Sequence, residues 1–144
     1  MTLAQVLGWT VAGVCAAALM NFLLKQISRE YLKTITEKNA DFTASYRAFM
    51  RFMVRNHRYF GIAAGLLFLV HAGVVVASGV TSLTGIAAGL LLLALTGLGL
   101  YGFYVRKNPR GVWIHMHRGT AFILARSLLI HLFFTAYVLS LIHI

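Results

Sequence analysis

The chain has 144 residues, of which 60% are hydrophobic, and it carries 13 Lys and Arg against three acidic residues. A water-soluble domain of this length exposes far more charge, so the composition excludes an ordinary soluble protein and indicates a membrane protein. The net charge of +10 would also suit a nucleic-acid-binding protein. However, the basic residues cluster at the ends of apolar runs, and we therefore expect no nucleic-acid partner.

Four apolar runs are each long enough to cross a bilayer. They cover roughly Leu3–Leu24, Phe60–Val80, Leu83–Val105 and Trp113–Leu141. No basic residue precedes the first run, which is longer than the apolar part of a secretion signal, so we expect it to be retained. The runs predict an all-α fold, a bundle of four transmembrane helices that forms a single membrane domain over residues 1–144.

The basic residues predict on which side of the membrane each connection lies. Eight of the 13 Lys and Arg fall between Lys25 and Arg58, and four more flank the connection before the fourth run. Because basic connections stay in the cytoplasm, both of these are expected inside and both termini outside. We expect a multi-pass protein of a bacterial cytoplasmic membrane, with its basic face against membrane lipid.

The connection over residues 25–56 is polar, yet its apolar residues recur at helical spacing. They are Phe42, Tyr46, Phe49, Met50 and Met53. This pattern predicts an amphipathic cytoplasmic helix, which either lies along the inner surface or extends the second run. We expect its aromatic stripe to pack against the base of the bundle.

Two pairs of histidines share one spacing. His57 and His71 are 14 residues apart, and so are His117 and His131. On an α-helix, 14 residues rise about 21 Å and return to within about 40° of the starting face. The second and fourth runs cross in the same direction, so His57 is expected level with His117, and His71 level with His131. Imidazoles paired at equal depth are what two bis-histidine haems require.

Further residues repeat around the inner histidines. Arg58 and Arg118 each follow one of them, and an Arg at the interface can pair with haem propionates. An equally weighted explanation is that Arg58 and Arg118 are ordinary basic residues that flank a membrane span. Small residues at Gly61 and Ala64 leave room for a porphyrin face, and close helix packing at Gly61 and Gly65 is compatible with this.

The two His-x13-His helices resemble those of transmembrane di-haem cytochromes b. These include ferric-reductase-type membrane domains, ascorbate-reducible and bacterial cytochromes b, and the cytochrome b subunit of quinol–cytochrome c oxidoreductases. The resemblance is most specific over residues 57–131. It implies that His57, His71, His117 and His131 are axial ligands of two haems b. The 144 residues include no flavin or nicotinamide domain of the kind that a complete ferric reductase has.

The resulting hypothesis is a membrane-embedded cytochrome that carries electrons between a quinol or protein donor and an acceptor on the other side. Two roles are compatible with this hypothesis: an electron relay, and an oxidoreductase that acts on quinol, ferric complexes or superoxide at a haem edge. Two assemblies are also compatible with it: a subunit of a larger redox complex, and a homo-oligomer. The alternative is a cofactor-free transporter or assembly subunit, in which the histidines serve protons or metal ions.

Three residues fall outside the histidine pattern. Arg126 lies near mid-membrane, about 180° from the haem face, and no apolar run contains an acid to pair with it. We expect it to meet a substrate or an interface. His115 is expected at the inner surface, with contact to propionates or a quinone headgroup as the less favoured alternative. His143 is expected to be solvated.

Overall fold

The computed structural model describes residues 2–31, 40–79, 81–106 and 111–142. Within these residues the fold is all-helical, as predicted, with four α-helices and no strand. The helices are α1 (Leu3–Glu30), α2 (Ala40–Ala77), α3 (Leu83–Leu100) and α4 (Val112–Ile142), and a π-helical turn (Tyr101–Arg106) continues α3. Three of them are long and apolar enough to cross a membrane: α1, α2, and α3 together with its π-helical end.

Helix α1 begins at a capping box and continues past its apolar run. The side chain of Thr2 accepts a hydrogen bond from the backbone N–H of Gln5, and the Gln5 side chain accepts one from the backbone N–H of Thr2. This exchange satisfies two backbone donors that a helix start leaves free. Cys15 is buried on the face that packs inward, as expected of a small apolar side chain.

Helix α2 is continuous from Ala40, so the second half of the polar connection extends the second apolar run. The hydroxyl of Tyr46 donates a hydrogen bond to the carbonyl of Leu24, and Met53 is buried. The predicted packing is thus correct for Tyr46 and Met53. It is wrong for Phe42 and Phe49, which are half exposed, because each lies one residue, or about 100°, from the buried face.

The turn between α2 and α3 sets the position of the α3 start. Gly79 adopts a positive φ of 71°, a conformation that glycine reaches without the steric penalty of a side chain. Ser82 then caps α3 by accepting a hydrogen bond from the backbone N–H of Gly85. Gly79 thus lies in the turn before α3, and Ser82 caps the first turn of α3, the end of the helix that lies near His131.

The π-helical turn at the end of α3 accommodates a large aromatic side chain. Gly102 is buried, and a Cβ placed there would lie 2.1 Å from the indole of Trp113. The absence of a side chain at Gly102 lets the Trp113 ring pack directly on the backbone. Widened helical turns are rare and frequently occur at functional sites.

All four helices contribute to one cluster of buried apolar residues. Its members are Val11 and Cys15 from α1, Ala64 from α2, Leu92 from α3 and Leu124 from α4. Helix α1 packs most extensively against α2, and α3 against α4. Many large apolar side chains point outward instead, such as Leu90 and Phe133, which are 64% and 74% exposed. Such an apolar exterior suits a lipid environment.

Candidate functional site

The rings of His57 and His117 lie close together between α2 and α4. Their centroids are 6.2 Å apart, and the ring planes are nearly perpendicular at 86°. The two residues are 60 positions apart in the sequence. Their side chains meet because α2 and α4 place them at the same level, which is the level predicted for the inner pair.

The separation of these ring centroids matches that of two imidazoles that share one metal ion. An imidazole nitrogen binds a metal at about 2.0–2.1 Å and lies about 1.1 Å from its ring centre, so two rings on one ion have centroids about 6 Å apart. The Nδ1 atoms of His57 and His117 are both buried and without a hydrogen-bond partner among the described residues. Buried polar atoms left unpaired carry a free-energy cost that a bound group can remove.

A cavity of about 970 Å³ opens at this pair. His57 and His117 line it together with apolar or small residues from all four helices, including Cys15, Gly61 and Leu124. The volume is at the upper end of the range for small-molecule and cofactor pockets, which are mostly apolar with few polar groups. The predicted small stripe on α2, Gly61 and Ala64, faces this space.

The mouth of the cavity carries cationic side chains. Arg58 and Arg118, both predicted as site residues, line it, and Lys25 of α1 joins them. The Arg58 guanidinium lies 4.5 Å from the ring centroid of Tyr59 and 4.8 Å from that of Phe103. These contacts hold one positive charge in place at the mouth, where an anionic group could pair with it.

Asn21 of α1 also lines the cavity, and its Oδ1 atom is buried without a hydrogen-bond partner among the described residues. The sequence interpretation missed both Asn21 and Lys25, because α1 contains no histidine to mark its inward face. Their spacing of one helical turn from residue 21 to residue 25 was the available signal. Together they add a hydrogen-bond acceptor and a charge to the inner site.

The second predicted pair, His71 and His131, lies at the other end of the same helices. The Nδ1 atom of His71 is buried with no partner in the described part of the chain. The Nδ1 atom of His131 lies 3.1 Å from the hydroxyl oxygen of Thr84 and 3.5 Å from that of Ser82. Two hydroxyls at the start of α3 therefore fix the orientation of this ring.

Helix α3 presents a glycine to each of the two predicted ligands of α4, His117 and His131. A Cβ at Gly99 would lie 3.4 Å from Cε1 of His117, and one at Gly85 would lie 3.1 Å from Cε1 of His131. Gly85 and Gly99 are themselves 14 residues apart, the same spacing as the histidines they face. This second repeat is visible in the sequence, but the sequence interpretation did not include it.

Helix α1 lies beside the histidines of α2 in a similar way. The backbone of Ala18 is next to the ring of His57, and a Cβ at Gly8 would lie 3.2 Å from Cε1 of His71. Each imidazole is thus enclosed between its own helix and a neighbour. Such enclosure limits the rotation of the ring and keeps the site ordered before anything binds.

Packed apolar residues separate the two pairs. Ala64 lies midway between the histidines of α2, and Leu124 lies midway between His117 and His131 of α4; both are buried. Phe68 fills the adjacent space, where a Cβ at Gly89 would come within 2.2 Å of its ring. The molecule therefore has two histidine levels with a solid apolar layer between them.

The remaining predicted residues lie away from both pairs. His115 is exposed, in agreement with the favoured surface placement. Arg126 is exposed on the outer side of α4, which agrees with its predicted position opposite the histidines. His143 lies outside the described residues.

Comparisons with protein-family models, with curated proteins and with solved structures give no match for this chain. The function is therefore inferred from the four histidines, the cavity and the charges around it. Two imidazoles at one level can bind one metal centre, and two such levels can bind two.

Proposed function

We propose that this chain is a membrane-embedded di-haem b-type cytochrome that carries electrons across the membrane. The observation that carries the proposal is the 6.2 Å separation of the His57 and His117 ring centroids at a cavity of about 970 Å³. In this proposal the four helices form a transmembrane bundle in the cytoplasmic membrane, with both termini outside. The basic mouth of the cavity then faces the cytoplasm.

The inner site fits a haem in three respects. His57 and His117 would hold the iron, because the separation of their ring centroids matches that of two imidazoles on one metal ion. Gly61 and Gly99 line the cavity without side chains that would fill it. Arg58 and Arg118 at the mouth would pair with the two propionates, which are the only charged groups of haem b outside its metal centre.

The outer site has the same arrangement of ligands as the inner site, one histidine from α2 and one from α4. His71 and His131 would supply the axial nitrogens, and Thr84 would accept or donate the hydrogen bond that sets the His131 tautomer. Gly8 and Gly85 lie against these rings. Ligands at the two levels would thus be provided by the same two helices.

Haem b, held by these histidines, would supply single-electron transfer. The protein's part is to hold the imidazoles at fixed depth, to place cations at the inner mouth, and to exclude water with an apolar wall. The layer of Ala64, Leu124 and Phe68 keeps the two levels apart. Such fixed surroundings set the electron affinity of each site through burial and nearby charge.

The donor is proposed to be a quinol or a redox protein, and the acceptor to lie on the opposite side of the membrane. The cations at the inner mouth, Lys25, Arg58 and Arg118, would favour an acidic protein surface or an anionic reactant there. The proposal includes both a relay subunit within a larger redox complex and a self-sufficient oxidoreductase.

Purification of the full chain after expression with haem available tests this proposal. We expect a reduced-minus-oxidised spectrum with the α band of a low-spin b-type haem, and about two haems per chain by pyridine haemochrome assay. The matched control replaces the exposed His115 by Ala, which should leave both readings unchanged. A folded, colourless chain would contradict the proposal and favour the cofactor-free transporter or assembly subunit.

A further inference from the structure

The outer surface of α4 combines one cation with a broad apolar stripe. Arg126 is exposed, and it forms no hydrogen bond or ion pair with the residues that the structure describes. The side chains that surround it on this surface are all at least half exposed: Phe122, Ile123, Leu129, Ile130 and Phe133. The guanidinium therefore lies within an exposed apolar face, at whose edge Phe122 packs against Phe22 of α1.

Arg126 is also far from either end of α4. It lies nine residues after His117, which corresponds to about 14 Å along the helix, and five residues before His131, about 8 Å. An Arg side chain can reach only roughly 7 Å along the helix to bring its charge to a membrane surface. In a helix that crosses a bilayer about 30 Å thick, this residue is near the centre.

An unpaired guanidinium at that depth is costly, and such residues usually pair with a carboxylate or line a water-filled space. The histidine cavity is not that space, since Arg126 does not line it. The chain has three acidic residues, Glu30, Glu37 and Asp41, and all of them lie in or near the polar connection between α1 and α2. A second copy of the chain therefore has no carboxylate at the depth of Arg126.

We propose that the outer face of α4 binds a transmembrane helix of another protein, and that an Asp or Glu near the middle of that helix pairs with Arg126. The inference rests on the part of the proposed function in which α4 crosses the membrane, and it does not depend on haem. Ile123, Leu129 and Phe133 provide the packing surface, and the ion pair provides selectivity. This arrangement makes the chain one subunit of a hetero-oligomer.

Association in lipid nanodiscs tests the proposed interface. The full chain, labelled with a fluorescent donor, is reconstituted with acceptor-labelled Leu-Ala helices of about 23 residues that carry either Glu or Leu at their centre. We expect the apparent association constant, measured by energy transfer, to be at least about tenfold larger for the Glu helix than for the Leu helix. Arg126→Leu should abolish this difference, whereas Arg51→Leu, a matched change of an exposed Arg outside the apolar run, should preserve it.

A charge reversal provides the second arm. The Arg126→Glu variant should no longer bind the Glu helix and should bind a helix with a central Lys instead, because the two charges of the ion pair have exchanged places. Equal binding of the Glu and Leu helices to the unmodified chain would overturn the inference, as would binding of the Glu helix that survives Arg126→Leu. Either result would mean that lipid or water, rather than a partner carboxylate, compensates the charge.

Cysteine accessibility separates failure of this inference from failure of the membrane assignment. In a Cys15→Ser background, Arg126→Cys should resist a water-soluble maleimide in intact membranes, while Arg51→Cys should react. Rapid labelling at position 126 would overturn both the transmembrane placement of α4 and the interface. Protection at position 126, with normal haem content but no preference for the Glu helix, would overturn the interface alone.

Discussion

The imidazoles of His57 and His117 are held 6.2 Å apart, centroid to centroid, with their planes at 86°. The two rings are brought together by two different helices, with Ala18 of α1 beside one and Gly99 of α3 beside the other. A metal site whose ligands already have the required spacing loses less conformational entropy on binding. The inner site is therefore expected to be organised by packing of the protein alone.

Thr84→Val should weaken the outer site without affecting the inner one. The substitution preserves the shape of the side chain and removes the hydroxyl that lies 3.1 Å from Nδ1 of His131. Loss of such a partner typically lowers metal affinity about 10- to 100-fold. Haem retention during dilution, followed by absorbance, measures the effect. Thr81→Val, at an exposed position in the preceding turn, is the control, and an equal loss there would refute a specific role for Thr84.

Arg118→Gln should lower the reduction potential of the inner haem by about 10–40 mV, because a nearby positive charge favours the reduced state and this one is solvent-exposed. Arg118 lines the mouth of the inner cavity, so the outer potential should not change. Redox titration monitored at the α band resolves the two centres. Arg51→Gln, at an exposed position on the first half of α2, should shift neither. An unchanged inner potential in Arg118→Gln would show that this Arg is only flanking charge.

Gly89→Ala should destabilise the helix packing between the two histidine levels. The added Cβ would lie 2.2 Å from the ring of Phe68, and overpacking of this kind costs about 1–3 kcal/mol. The thermal midpoint of helical circular dichroism in detergent should fall. Gly97→Ala on the same helix has open space within 4 Å and should leave the midpoint unchanged or slightly higher. Similar midpoints for the two variants would show that Phe68 moves aside at little cost.

Tyr46→Phe tests whether the first half of α2 packs on α1 as a defined structure. The change removes the hydroxyl that donates to the Leu24 carbonyl, a bond worth about 0.5–1.5 kcal/mol net. We expect a loss of that size in the free energy of unfolding measured in mixed micelles. Tyr31→Phe, at a residue that is 62% exposed, should cost nothing measurable. If both variants were as stable as the original chain, the bond would be fully replaced by water.

Periodicity was sufficient to predict the helices and the proximity of His57 and His117. Apolar run length gave the bounds of α3 with its π-helical end and of α4 to within one residue, but it ended α1 six residues too early, at Leu24 instead of Glu30. The 14-residue spacing put His57 level with His117. The aromatic stripe was predicted on the wrong face at Phe42 and Phe49. A one-residue error in phase rotates a side chain by about 100°, and sequence spacing alone does not fix the phase against a neighbouring helix.

Contacts supplied by neighbouring helices were the part that the sequence interpretation missed. Asn21 and Lys25 reach the inner cavity from α1, and Thr84 reaches His131 from α3. Each of these contacts depends on how far two helices are rotated relative to each other. Interhelical rotation results from packing of all the contacting side chains, so no local pattern determines it. The Gly85 and Gly99 repeat is an exception, because its spacing matches that of the histidines.

The most direct test of the central claim is haem stoichiometry in paired histidine variants. Replacing both His57 and His117 by Ala should remove one haem and leave about one per chain, because these residues share the inner site. Replacing His57 and His131 together should leave almost none, since each level then lacks a ligand. If the first double variant lost both haems while the second retained one, or if the unmodified chain bound none, the proposed pairing would be wrong.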